Sequence, residues 1–190
     1  MRFILSLCML LFFANAYAQD PLWLRYPCIS PDGNTLLFNY KGDIYSVSSQ
    51  GGQARALSTH PAHDFMPTWS VDGKEIAFAS DRYGNYDIFL MPANGGAATR
   101  LTHHSADDEP HSMDTEGNVL FSASRLDDHK NSQFPSSRLP ELYSVNKEGK
   151  LQQILTTPAE MAVWNKSKTQ LIYQDKKGYE DPWRKHHTSS

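Results

Sequence analysis

The chain has 190 residues, with 18 lysines and arginines against 21 aspartates and glutamates, a formal net charge of -3 and two cysteines. Charges this few in excess and this scattered offer no basic surface to a nucleic-acid backbone, and nothing beyond the N-terminus approaches the length of a membrane span. Aromatic residues make up 12% of the chain and helical periodicity is nearly absent past the first segment, which points to a soluble all-β protein.

The first segment, residues 1–18, reads as a signal peptide. Arg2 supplies a short positive region, Phe3 through Phe13 form an apolar core too short to span a bilayer, and Ala16-Tyr17-Ala18 matches the small-residue cleavage pattern. Cleavage is expected before Gln19, with export to a periplasmic or secreted location. Leu5-Ser6-Leu7-Cys8 is a poor lipidation site, because a bulky residue precedes the cysteine and the apolar run continues past it. Once Cys8 is removed Cys28 is alone, so no disulfide can form within the chain. Between Pro27 and Ile29, Cys28 reads as a buried strand residue.

From there a phrase recurs about every forty to fifty residues. Its first copy runs Cys28-Ile29-Ser30-Pro31-Asp32-Gly33, then Leu37-Phe38, Asp43-Ile44-Tyr45, Gly51-Gly52 and Leu57-Ser58. The second runs from Pro67-Thr68-Trp69-Ser70-Val71-Asp72-Gly73 through Ile76-Ala77-Phe78-Ala79-Ser80, Asp87-Ile88-Phe89 and Gly95-Gly96 to Arg100-Leu101-Thr102. The third carries Thr115-Glu116-Gly117, Leu120-Phe121, Glu141-Leu142-Tyr143, Glu148-Gly149 and Leu155-Thr156, and a fourth begins at Leu171-Ile172-Tyr173. Asp-Gly between runs of apolar residues is a hairpin signal, because glycine accepts positive φ. Three such breaks per copy predict four short strands, and four-stranded units of this length are the blades of a β-propeller.

The expected domain is a partial propeller over residues 19–190, with blades at about 24–60, 64–104, 108–158 and an incomplete 160–190. Leu57 to Leu101 is 44 residues and Leu101 to Leu155 is 54, so the third unit holds an insertion, placed between Arg125 and Leu139 and read as an exposed loop. About three and a half blades fall short of the ~4 to 8 that close a ring, so the chain reads as a truncated piece of a longer protein.

Several groups of residues invite a functional reading and receive a structural one. Asp107-Asp108-Glu109 is expected to be a solvated inter-blade loop rather than a cation site. Asp81, Asn85 and Asp87 look like a calcium loop, yet Asp87 has counterparts at Asp43 and Glu141, which favours a repeated structural role. His103-His104 and His186-His187 alternate faces if they lie in strands, so neither is expected to hold a metal. Arg82 and Arg125 recur after the second strand and are expected to tie each blade to a neighbour. Phe78 recurs as Phe38, Phe121 and Tyr173 and is expected to pack blade on blade, as is Trp69. Nucleophile elbows, metalloprotease motifs, phosphate loops and dinucleotide fingerprints are absent from the sequence, so no catalytic, cofactor or metal residue is assigned. Trp183, Arg184, Lys185, His186 and His187 form a basic and aromatic cluster with no counterpart in the repeat, and stand as the candidate contact for a peptide or another domain.

The Ser-Pro-Asp-Gly, Ala-Phe-Ala-Ser-Asp-Arg and Asp-Ile-Phe phrases resemble the propeller repeats of TolB-like proteins, the prolyl oligopeptidase group and the tricorn protease family. Lys41-Gly42-Asp43-Ile44-Tyr45, Thr59-His60-Pro61-Ala62-His63-Asp64-Phe65 and the stretch from Lys177 to Ser190 resemble the N-terminal propeller of secreted tricorn-like serine peptidases of the S41 class. The resemblance implies a six-bladed ring, and a serine protease whose second propeller, PDZ module and catalytic core lie beyond residue 190. Its implied role is a non-catalytic propeller that gates or channels peptides to that core, with peptides or downstream domains as partners and a homo-oligomer possible at full length. The alternative is a TolB-like scaffold for protein partners with no associated enzyme.

Overall fold

The computed structural model describes residues 23–125 and 139–175. The segment 1–18 read as a signal peptide, the bulk of the third-unit insertion and the cluster from Trp183 to His187 lie outside the described residues.

Three four-stranded antiparallel sheets and one two-stranded sheet follow one another along the chain, each strand paired with its sequence neighbour. The first sheet comprises β1 (Arg25–Ile29), β2 (Thr35–Tyr40), β3 (Asp43–Ser48) and β4 (Arg55–Ala56). The second comprises β5 (Asp64–Trp69), β6 (Glu75–Ser80), β7 (Asp87–Pro92) and β8 (Thr99–Arg100). The third comprises β9 (Asp108–Met113), β10 (Val119–Ala123), β11 (Glu141–Val145) and β12 (Leu151–Leu155), and the last β13 (Ala159–Trp164) and β14 (Leu171–Asp175). The first strands β1, β5, β9 and β13 touch in succession, and β5, β9 and β13 each also rest on the second and third strands of the sheet before. Sheets arranged in this way are propeller blades, with the first strand of each nearest the common axis.

The repeated phrase is explained group by group. At the first hairpin Ser70 Oγ donates to Asp72 Oδ1 (2.7 Å) and accepts from the Glu75 N–H (2.9 Å), and Ser30 and Asp32 do the same in the first blade. Gly33, Gly73 and Gly117 complete these turns at φ of 76, 70 and 82°. At the third strand the Ile88 N–H donates to Thr102 Oγ1 (2.9 Å), as the Ile44 N–H does to Ser58 Oγ (3.0 Å). This is why Asp-Ile-aromatic and Leu-Ser/Thr travel together: the hydroxyl satisfies a buried amide that has no strand partner. At the last turn Gly95 and Gly149 sit so close to the carbonyl oxygens of Leu57 and Leu101 in the preceding blade that a Cβ there would lie 3.1 and 3.3 Å from them.

The core lies between blades. Leu37, Ile44 and Leu57 of the first blade pack on Ile76, Phe78, Phe89 and Met91 of the second. Ala77, Ile88, Leu90 and Leu101 from the other face of that blade meet Met113, Val119, Phe121 and Val145 of the third. Leu120 and Leu142 then meet Ala159 and Ala162 of the fourth. Phe78 and Phe121 are fully buried, whereas Tyr173 at the same repeat position is 41% exposed. Phe38, Phe78 and Phe121 each stack on the aromatic directly opposite on the third strand, Tyr45, Phe89 and Tyr143. Trp69 is half-buried and bridges blades by donating its indole N–H to the Cys28 carbonyl (3.2 Å). Cys28 is half-buried on β1, and burial pushes its thiol up.

Two expectations are corrected. Arg82 and Arg125 tie their own blade rather than a neighbour: Arg82 Nη2 donates to Asp64 Oδ2 (2.8 Å) and Arg125 Nη2 to Asp108 Oδ2 (2.6 Å). Register dictates this, since Asp64 pairs with Ser80 and Asp108 with Ala123, each two residues from its arginine. For the same reason Asp107-Asp108-Glu109 is not a solvated loop. Asp108 and Glu109 belong to β9, and Asp108 is fully buried.

Bonds between blades also repeat. The first residue of each new blade donates its N–H to the carbonyl just before the preceding third strand: Asp64 to Gly42 (2.7 Å), Asp108 to Tyr86 (2.8 Å) and Ala159 to Pro140 (3.1 Å). These staples hold the axis-facing strands in fixed relation.

Candidate functional site

Antiparallel order brings three features of each blade to one end of the sheets. They are the start of the first strand, the turn between the second and third, and the segment leading to the next blade. Near the axis at this end the chain departs from regular pairing. Tyr26, Met66 and Met161, equivalent positions on β1, β5 and β13, have left-handed φ of 52, 51 and 51°. The register shifts there in each blade, and also on β9 between Pro110 and Ser112. A bulge turns the side chains around it out of the regular alternation, and bulges of this kind gather next to functional sites.

Around the bulges of β1 and β5 four rings meet. Phe65 packs edge-on against Tyr26 (5.6 Å between centroids) and Tyr86 (4.6 Å), and His63 stacks on Phe65 at 5.4 Å. His63 Nδ1 and the Tyr86 hydroxyl are 3.0 Å apart. Two carboxylates fix the backbone beneath them: Asp81 Oδ1 accepts from the His63 N–H (2.7 Å) and Asp107 Oδ1 from the Tyr86 N–H (2.9 Å). Burial raises the Tyr86 phenol above its ordinary value, and the charges of Asp81 and Asp107 push the same way.

Asp107 also lines a neighbouring cavity of about 350 Å³, shared with Glu109, Ser122, Pro140 and Glu160. Beside it lies the one arrangement resembling catalytic machinery among the described residues. His111 Nε2 is 2.5 Å from Ser122 Oγ, which itself donates to the Ala159 carbonyl (2.5 Å). With its proton committed to that carbonyl, the serine oxygen accepts from Nε2–H, so the imidazole is placed as donor and not as base. Burial lowers the His111 pKa to about 4, Glu160 opposing, and Ser122 is buried. The pair is a tie between the third and fourth blades. Asn39, at the repeat position of Ser122, likewise bonds the Asp64 carbonyl.

Most of the remaining residues singled out from the sequence have structural partners. Asp87 pairs with Arg100 (2.6 Å), and Asn85 Nδ2 donates to the carbonyls of His104 and Ala106 (2.9 Å each). His104 Nδ1 accepts from the Ala106 N–H (2.9 Å), while His103 is exposed. Both histidines lie between β8 and β9 rather than in a strand. The ring cluster was not anticipated as a site. One signal could have found it: the position just before the bulge of the first strand reads Arg25, Phe65, Glu109 and Glu160, changing from cation to ring to carboxylate, whereas core positions of the repeat keep their type.

Comparison with known proteins agrees with this architecture. The family model described as the tricorn protease N-terminal beta propeller domain matches residues 21–190. The chain is 34% identical over 83 residues to tricorn protease homolog 1 of Streptomyces coelicolor, covering 44% of this chain and 8% of that protein. It is 36% identical over 77 residues to a TolB homolog of Chlorobium luteolum, covering 40% of this chain and 17% of that protein. The fold superposes on TolB from Acinetobacter baumannii with a TM-score of 0.64 at 17% identity, over 83% of this chain and 39% of that one. On the tricorn protease the TM-score is 0.62 at 20% identity, over 75% and 14%. The chain thus spans a small part of the length of these relatives.

Proposed function

From the premise that this chain belongs to the tricorn protease N-terminal beta propeller domain family, we propose that it is the non-catalytic propeller of an exported tricorn-like serine peptidase of the S41 class. In this reading the propeller receives peptides at its axis and guides them to or from a proteolytic core carried elsewhere in the same protein. The observation that carries the proposal is the axial end itself. Innermost strands whose bulges carry an arginine, a phenylalanine and two glutamates in place of one repeated core type (Arg25, Phe65, Glu109 and Glu160), next to a cavity, suit passage and contact better than packing. Export is supported by the order of Arg2, the apolar run and Ala16-Tyr17-Ala18.

The second reading, a TolB-like scaffold for protein partners, is favoured by the 36% identity to a TolB homolog. Assay of the intact gene product separates the two. Peptide hydrolysis blocked by a serine-directed inhibitor is the outcome expected of the first, and a protein that hydrolyses no peptide but retains a protein partner is that of the second.

A further inference from the structure

Resting on the reading of the axis as a peptide path, we infer that the ring cluster at its end is a recognition site for an organic cation of the peptide, a lysine or arginine side chain or a terminal ammonium. Tyr26, His63, Phe65 and Tyr86 come from the first blade, the link to the second, β5 and the turn before β7, so three separate parts of the chain converge on one spot. Aromatic faces carry negative quadrupole potential and attract cations, more strongly where water is partly excluded. Phe65 is buried and Tyr86 half-buried, while Tyr26 is 41% exposed, so the cluster is shielded below and open above.

The charges around it select the sign. Asp81 and Asp107 bond the amides of His63 and Tyr86 and both act on the Tyr86 phenol. Of the basic side chains nearest in sequence, Arg82 bonds Asp64, Lys41 lies over Tyr40, and Arg25, beside Tyr26, keeps its charge and lies over Trp23. Glu109 and Glu160 line the adjoining cavity with Asp107. A carboxylate ligand meets repulsion here, and a neutral one leaves the carboxylates unused.

The test uses the intact gene product and short peptides carrying a dye at the C-terminus, measured by fluorescence anisotropy. The peptides have an acetylated N-terminus and a central lysine, arginine, acetyl-lysine or glutamate, and a fifth has a free N-terminus around a central alanine. The expected result is that at least one of the lysine, arginine and free-amine peptides binds about tenfold more tightly than the acetyl-lysine peptide, with glutamate weakest. Which of the three binds best identifies the source of the cation. The preference should fall to within about threefold in Asp81→Asn/Asp107→Asn and in Tyr26→Ala, the latter altering an exposed ring, while acetyl-lysine binding stays the same. Unchanged thermal midpoints would establish that both variants fold. Equal binding of lysine and acetyl-lysine peptides with no advantage for arginine or the free amine, or a preference that survives in both variants, overturns the inference and leaves the peptide-path reading standing. If no peptide of any charge binds, both fall.

Discussion

Arg125 reaches Asp108 at 2.6 Å across the top of the third blade, with both side chains almost completely removed from solvent. The same guanidinium lies over the rings of Phe121 and Tyr143, as that of Arg82 lies over Phe78 and Phe89. In the second and third blades one arginine thus joins the first strand to the second and third. Removing one partner of such a pair strands a buried charge, which costs about 3 to 5 kcal/mol. Arg125→Ala should therefore destabilise the protein by about that amount in urea unfolding. Replacement of both partners, Arg125→Met with Asp108→Leu, should restore much of the loss. Equal losses in the single and double variants would contradict the assignment.

Phe78 is fully enclosed between the first and second blades. Phe78→Ala should cost about 3 to 5 kcal/mol through lost burial and the cavity left behind. Val71, 41% exposed in a hairpin turn, serves as the control, and Val71→Ala should change stability by less than about 0.5 kcal/mol. Comparable effects at the two positions in denaturant titrations would show that the blades are not packed as described.

Thr102 satisfies the buried amide of Ile88 at 2.9 Å. Thr102→Val keeps the shape and removes the acceptor, and should cost about 1 to 3 kcal/mol. Thr102→Ser keeps the oxygen and should recover most of that. Hydrogen exchange at the Ile88 amide reads the effect locally, with faster exchange expected in the valine variant.

His111 gives a pH signature. Its pKa is lowered to about 4 from the ordinary 6.5 by burial. The unfolded chain therefore takes up this proton first as pH falls, so the contribution to stability is complete above about 6.5 and is lost progressively down to about 4. Between pH 7.5 and 4.5 the loss from this group should reach up to about 2 kcal/mol. Parallel unfolding curves at the two pH values should show a shallower pH dependence for His111→Gln. An identical slope would mean that His111 titrates alike in the folded and unfolded states.

The four-strand rhythm of each blade was readable because every break in it has a local chemical cause: Ser-x-Asp-Gly closes a hairpin through its own side chains, and Asp-Ile-aromatic is matched by Leu-Ser/Thr through one hydroxyl. Core positions were readable for the same reason, since Phe38, Phe78 and Phe121 each answer an aromatic directly across the sheet. The partners of Arg82 and Arg125 were not. Choosing between their own blade and a neighbour needs the register of the first two strands, and the bulge at Met66 shifts that register by an amount no spacing reveals. Asp108 was misplaced for a related reason, because an acidic triplet read alone gives no sign that its middle member faces a buried guanidinium. The ring cluster was harder still: Tyr26, His63, Phe65 and Tyr86 come from different repeat positions and meet only once the blades are stacked.

The central claim, that peptides travel along the axis lined by the first strands, is tested most directly by photocrosslinking in the intact gene product. A photoreactive phenylalanine analogue is placed at Tyr26, beside the axial bulge, or at Thr99, on the outer strand β8, and a labelled peptide is added. The account predicts that peptide attaches at position 26, is displaced by excess unlabelled peptide, and leaves position 99 unmarked. Equal labelling at both positions, or labelling at position 99 alone, would contradict it.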